Sequence, residues 1–257
     1  MTDKPLSILM VDDDIDICTN MVDILADLGY SVDVAHDGSE ALKLARRRPY
    51  DIALLDLKLP DMDGVALCRE IGRIRSGTVS LLITAYANGE TTREAFEAGA
   101  WQVLAKPVDF PRLIGLIDEA AAQPLVLVVD DDPALCFNLQ DLLHARGYRV
   151  CIAHDAREAT ERLRYTTRVI LLDMRLPDSD GSTVFRHVRE VNATIRIILI
   201  TGYPKEMGPM TEQLRIEGAD AVHFKPFDIP QLLADLAHLA GVAHSDRSLG
   251  RDPGDRG

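Results

Sequence analysis

Asp12 and Asp13 follow an apolar run, Ile8-Leu9-Met10-Val11, and Asp56 follows another, Ile52-Ala53-Leu54-Leu55. Thr84 and Lys106 close two further runs, and the whole set returns later as Asp130 and Asp131, Asp173, Thr201 and Lys225. If the runs are parallel strands of one sheet, these residues meet at its carboxyl edge, where open α/β sheets bind ligands. Three carboxylates gathered there repel one another unless a cation sits among them. Hard oxygen ligands with room for water suit Mg²⁺. A lysine and a hydroxyl facing the same pocket are donors for an anionic group. The set describes phosphoryl transfer onto a carboxylate, Asp56 in one half and Asp173 in the other. The carboxylate attacks, the metal neutralises developing charge, and Lys and Thr hold the equatorial oxygens.

Each feature alone carries little. An acidic run after a strand is more often a helix N-cap, a Lys-Pro pair a turn, a strand threonine a packing residue. Asp12, Asp14 and Asp16 imitate the start of an EF-hand loop, but Ile17 stands where that loop needs glycine. The strength lies in four features recurring in the same order. Asp12-Asp13-Asp14 returns as Asp130-Asp131-Asp132 at an offset of 130 − 12 = 118, and Leu54–Asp61 returns as Leu171–Asp178 at 171 − 54 = 117. A repeat of that length is a whole domain rather than a solenoid unit.

Within each copy, short apolar runs alternate with helical patterns. Ser7–Val11, Ser31–Ala35, Ile52–Leu55, Val79–Ile83 and Val103–Ala105 read as buried parallel strands. Ile17, Met21, Ile24, Leu25 and Leu28 form the expected inner stripe of the first helix, with Gly29 ending it and Asp37 capping the next. The expected fold class is α/β: two tandem (βα)5 doubly wound, flavodoxin-like domains, each with a five-stranded parallel sheet. The expected boundaries are 1–122 and 123–241, joined by Gln123-Pro124 alone, followed by a disordered tail, 242–257. Pro204 and Gly208-Pro209 predict a shortened or broken fourth helix in the second copy.

Composition narrows the function classes. The 257 residues carry 28 basic and 41 acidic side chains, a net charge of −13, which repels phosphate backbones and argues against nucleic acid as the main partner. No stretch approaches a membrane span and the first residues lack the apolar core of a signal peptide, so a cytoplasmic location with no membrane partner is expected. Cys18, Cys68, Cys136 and Cys151 lack zinc or redox spacing; Cys18 and Cys136, in helix-like segments, read as packing residues, and a reduced compartment fits. His36 and His154 recur at equivalent places and read as surface loop residues; Trp101, at the opening of the fifth strand, reads as a packing or interface residue.

Each copy resembles a response-regulator receiver domain, similar to the bacterial chemotaxis regulator, over about Ser7–Ala121 and Leu125–Ala240. The motifs that carry the resemblance are the acidic pairs, Leu-Pro-Asp-x-Asp-Gly at Leu59–Gly64 and Leu176–Gly181, the two threonines, and Lys106-Pro107 and Lys225-Pro226. The resemblance implies phosphoacceptors Asp56 and Asp173, switch hydroxyls Thr84 and Thr201, and lysines Lys106 and Lys225. It also implies Mg²⁺ held directly by Asp13 and Asp131, mainly through water by Asp12 and Asp130, and by Asp56, Asp173 and the main-chain carbonyls of Lys58 and Arg175. The lysines precede prolines that are typically cis in the family. Val103 and Val222 depart from the family's usual aromatic switch residue three positions before the lysine, which puts the usual threonine–aromatic coupling in doubt. By the same resemblance Lys58, Tyr86, Arg175 and Tyr203 rim the two sites; a side chain that turned to solvent, as Lys58 is equally expected to do, would contribute nothing there.

The function implied is two-component signalling: a phosphoryl group arrives from a histidine kinase or histidine phosphotransfer protein, and a downstream protein reads the phosphorylated face. On this reading the chain is not an enzyme beyond its own phosphorylation and dephosphorylation. Two alternatives stand beside it: a Mg²⁺-dependent phosphatase with an aspartyl-phosphate intermediate, and one active receiver beside a degenerate scaffold copy. The phosphatases place their nucleophile on the first strand and need a cap, whereas here the acceptors follow the third run of each copy.

Overall fold

The computed structural model describes residues 5–85, 89–164, 166–177 and 179–241. The segment expected to be a disordered tail, 242–257, lies outside them, as do Tyr86 and Asp178. In the first half β1 (Ser7–Val11), β2 (Ser31–Ala35), β3 (Ile52–Asp56), β4 (Val79–Thr84) and β5 (Gln102–Ala105) pair in parallel in the order β2-β1-β3-β4-β5. Between them run α1 (Ile15–Asp27), α2 (Gly38–Arg47), α3 (Gly64–Ile74), α4 (Gly89–Glu97) and α5 (Phe110–Ala122). The second half repeats this plan with β6 (Leu125–Val129), β7 (Arg149–Ala153), β8 (Thr167–Asp173), β9 (Arg196–Thr201) and β10 (Ala221–Phe224), in the order β10-β9-β8-β6-β7. Its helices are α6 (Pro133–His144), α7 (Ala156–Arg162), α8 (Gly181–Val191), α9 (Pro204–Ile216) and α10 (Ile229–Ala240).

The strands are apolar runs because both faces of each sheet are covered. Leu9, Val11, Ala53, Leu55 and Leu82 pack with Ala41, Ala45, Leu67 and Ile71 of α2 and α3. Ile8, Met10, Ile52, Leu54, Leu81 and Ile83 pack on the other face with Met21 and Leu25 of α1 and Leu113 and Ile117 of α5. Trp101 lies just before β5 and packs against this second layer. Asp14 caps α1 by accepting from the amides of Asp16 and Ile17, and Asp132 caps α6 in the same way. Gly29, beyond the end of α1, takes a left-handed φ of 88° that a side chain would resist.

Two expectations are corrected. The inner face of α1 is Cys18, Met21 and Leu25, whereas Ile24 and Leu28 are 40% and 53% exposed. The stripe is rotated because Cys18, three and seven residues before Met21 and Leu25, shares their face and turns inward with them. The fourth helix of the second half is neither short nor broken: α9 has 13 residues against 9 in α4 and runs through Pro209. Pro204 opens the helix, where no donor is needed. Pro209 removes one backbone bond in the second turn, while the Thr211 hydroxyl donates to the Gly208 carbonyl at 2.9 Å and buried Leu214 pins the remainder.

Gly64 explains the glycine of the Leu-Pro-Asp-x-Asp-Gly segment. A Cβ there would stand 2.2 Å from the Asp56 carbonyl oxygen and 2.8 Å from Leu57 Cα. Gly64→Ala is expected to cost about 2–3 kcal/mol through this overlap with backbone, measured by urea denaturation. An unchanged midpoint would show that the Asp56–Asp63 loop yields freely.

Candidate functional site

Strand register sets the site. Asp56 pairs with Ile83 across β3 and β4, and Thr84 with Ala105 across β4 and β5, so Asp56, Thr84 and Lys106 emerge side by side at the carboxyl edge. Asp12 and Asp13 leave β1 next to them. Asp12, Asp13 and Asp56 each bring an oxygen within 4.8 Å of the others, as do Asp130, Asp131 and Asp173. Asp12, Asp56, Asp130 and Asp173 are buried, whereas Asp13 and Asp131 are exposed, so each cluster opens to solvent on one side.

The lysines bind this charge. Lys106 Nζ lies 2.7 Å from Asp12 Oδ2 and 3.3 Å from Asp56 Oδ2; Lys225 Nζ lies 2.6 Å from both Asp130 Oδ2 and Asp173 Oδ2. Burial raises the Asp56 carboxyl above its ordinary range, Lys106 opposes this, and Asp12 adds to it. Asp130 is likewise raised by burial, against the hydrogen bond from Lys225. Burial lowers each lysine, but the hydrogen bonds and charges of its two aspartates outweigh it and leave the ammonium form favoured. Both X-Pro bonds after the lysines are cis.

The other predicted residues lie around these clusters. Thr84 and Thr201 are buried, and the Thr201 hydroxyl accepts from the Tyr203 amide at 3.0 Å. Lys58 and Arg175 begin tight loops closed by antiparallel bridges to Asp63 and Asp180. The Arg175 amide donates to Asp173 Oδ1 at 3.0 Å, and its guanidinium lies 4.5 Å from the centre of the Tyr203 ring. In the first half the loop is tied down by Asp61, whose carboxylate accepts from the Gly38 and Ser39 amides at 2.8 and 2.9 Å.

Two positioning groups escaped the sequence. The Cys18 thiol donates to the Asp12 carbonyl at 3.3 Å, and His36 Nδ1 approaches the same oxygen at 3.2 Å. Cys136 and His154 do the same for Asp130, at 3.3 and 3.1 Å. The recurrence of both residues in each copy was the available signal. Burial first, then the neighbouring aspartates, pushes the thiols up to about 11 for Cys18 and about 12 for Cys136, so both stay protonated donors.

A doubly wound parallel sheet with an acidic cluster and a lysine at its carboxyl edge is the architecture of a receiver domain. The response regulator receiver domain family matches residues 8–118 and 126–237, and the chain belongs to that family, as two receivers of the two-component response-regulator type in tandem. A response regulator receiver protein of Anaeromyxobacter sp. (strain Fw109-5) is 35% identical over 232 residues, 90% of this chain and 94% of that protein. The transcriptional regulatory protein ZraR of Escherichia coli O157:H7 is 38% identical over 127 residues, 49% of this chain but 29% of its own length. Among solved structures, a CheY-like receiver domain from Methanospirillum hungatei JF-1 is 35% identical, covering 45% of this chain and 92% of its own, with a TM-score of 0.44.

A raised carboxyl fixes the sign of one pH effect. Ionising Asp56 costs folding energy above its folded pKa, and that cost disappears as the pH falls toward the ordinary value of 3.8. In chelator, Asp56→Asn is therefore expected to raise the urea midpoint at pH 7, with the gain shrinking on acidification. Urea melts at several pH values measure this; a pH-independent or negative difference would contradict the electrostatic account.

Proposed function

We propose that each receiver takes a phosphoryl group from a histidine kinase or histidine phosphotransfer protein onto its third-strand aspartate, Asp56 or Asp173. A downstream protein then reads the altered surface. The observation that carries this is the lysine in each copy, shared between the acceptor carboxylate and a neighbouring aspartate. The acceptor Oδ attacks phosphorus, the bond to the donor nitrogen breaks, and the electron pair leaves on the imidazole. Lys106 or Lys225 turns from carboxylate to phosphoryl oxygen, and Thr84 or Thr201 offers its hydroxyl to another.

Mg²⁺ suits the donor set, since three carboxylate oxygens within 4.8 Å are hard ligands with an open side for water. Asp12, Asp13, Asp56 and the Lys58 carbonyl would hold it in the first receiver, and Asp130, Asp131, Asp173 and the Arg175 carbonyl in the second. When bound it neutralises charge on the transferring group. The phosphatase alternative is less well supported, because the acceptors sit on β3 and β8 rather than on a first strand. No helix among the described residues is long and apolar enough to cross a membrane; cytoplasmic signalling is part of the proposal.

Treatment with acetyl phosphate and Mg²⁺, followed by mass mapping, is expected to modify both aspartates. Asp56→Asn leaves Asp173 alone and Asp173→Asn the reverse. Modification of one aspartate only, under identical conditions, would favour the scaffold alternative for the other copy.

The mouth of the second site also predicts a lifetime. Hydrolysis needs a water in line with the acyl phosphate; the Arg175 guanidinium lies 4.5 Å from the centre of the Tyr203 ring, and the resemblance to the family puts this pair at the rim of that approach. Arg175→Asn with Tyr203→Glu is expected to speed loss of phosphate from Asp173 roughly tenfold, by admitting and orienting water. Equal decay of wild type and variant, followed by phosphate release, would show that the stack shields nothing. The matching Tyr86 lies outside the described residues.

A further inference from the structure

The first receiver grips the second across a buried seam. Arg149 opens the edge strand β7, and its side chain is 2% exposed. Its Nη2 donates to Asp51 Oδ1 at 3.1 Å and to the Gly77 carbonyl at 3.0 Å, and Nε reaches the same carbonyl at 3.3 Å. Asp51 is held in turn by the amide and hydroxyl of Ser7, at 3.1 and 2.9 Å. Burial alone would raise the Asp51 carboxyl, but Arg149 and Ser7 outweigh it and keep the carboxylate ionised. Arg164 Nη1 adds a bond to the Tyr50 carbonyl at 3.0 Å. Gly77 approaches so closely that a Cβ would stand 3.0 Å from Leu125 Cδ1 and 3.3 Å from Cys151 Cβ.

The seam also caps the edge of the second sheet. The Ile152 amide donates out of β7 to the Ser76 hydroxyl at 3.1 Å, and the Ile152 carbonyl accepts from Arg162. Arg162 pairs with Glu158 at 3.2 Å, and Glu158 accepts the His154 amide at 3.0 Å. His154 Nδ1 then meets the Asp130 carbonyl at 3.1 Å. Contacts therefore run without a gap from the first receiver to the backbone of a carboxylate in the second acidic cluster. The two edge strands differ accordingly: β7 is buried from Arg149 to Cys151, while β2 is only half-buried from Ser31 to Val34.

We infer that the first receiver is a structural part of the second receiver's phosphoacceptor pocket: the Arg149–Asp51 lock and the Ser76 cap hold β7, and β7 holds the Asp130 backbone through His154. Arg149 is a positioning residue for chemistry at Asp173, a role that rests on the acceptor function proposed above. The dependence runs one way, since the edge of the first receiver does not share the burial of β7.

The test uses the full chain carrying Arg149→Ser, with Arg149→Lys as the conservative variant. Amide exchange at Ile152 and His154 is expected to rise roughly a hundredfold in Arg149→Ser, because one member of a buried pair is left alone. Leu54 and Leu82 should keep their protection, showing a folded first receiver. The rate of acetyl-phosphate modification at Asp173 relative to Asp56, read within each molecule, should fall roughly tenfold and recover in part with lysine. Unchanged exchange at Ile152 overturns the lock. Faster exchange with an unchanged Asp173-to-Asp56 ratio overturns the coupling. If wild type is modified at neither aspartate, the acceptor function itself fails, and exchange alone then decides the lock. Should Leu54 and Leu82 lose protection, Ser76→Ala, which spares the ion pair, is judged by the same two readouts.

Discussion

Holding three carboxylates within 4.8 Å of one another is the constraint around which each half of this protein is organised. Like charges at that range oppose folding, and burial of Asp56 and Asp130 makes the opposition stronger. The sheet imposes the arrangement through register, with the carboxyl ends of β1 and β3 adjacent. A single lysine from the fifth strand offsets it. Thiol and imidazole donors fix the carbonyl of the first aspartate, and the Asp14 and Asp132 amides donate to its carboxylate at 3.0 Å in each copy. The pocket is thus held in a state of excess negative charge, which favours an incoming cation.

The two pockets resolve the same conflict differently. Lys225 sits at 2.6 Å from both of its carboxylates, whereas Lys106 sits at 2.7 Å from Asp12 and 3.3 Å from Asp56. The second pocket is therefore more tightly bridged, its lysine making two short charge-assisted bonds where the first lysine makes one. The loops differ as well. Asp61 ties the first loop to the start of α2, while Arg175 stacks on Tyr203 at the second.

Much of the edge was legible in the sequence because its signals are local. A polar residue that ends an apolar run marks a strand's carboxyl end, and Asp37 and Gly29 mark helix ends by their own hydrogen-bonding or backbone preferences. Side-chain direction was less legible. A stripe through Ile17, Met21, Ile24, Leu25 and Leu28 fits a helical period, yet a rotation of one position puts Cys18 inside and Ile24 and Leu28 outside. Proline propensity misled at α9 because one missing bond is a small term beside the packing of a 13-residue helix. The seam was invisible: Arg149 reads as an ordinary charged strand start, and its partner Asp51 lies 98 residues away in the chain.

A duplicated domain whose sheet end docks on the next copy's sheet edge has the makings of a fibre, because such a head-to-tail contact can in principle be repeated without limit. Here the sequence does not repeat that contact. Counting back by 118, the place of Arg149 is taken in the first copy by Ser31; counting forward by 117, Asp51, Ser76 and Gly77 become Arg168, Ala193 and Thr194. The equivalent end of the second module therefore carries a cation in place of Asp51, alanine in place of Ser76, and a β-branched side chain in place of Gly77. The residues that make the seam are thus not repeated at the opposite end of the second module, and the contact between the first and second modules is particular to that pair of surfaces.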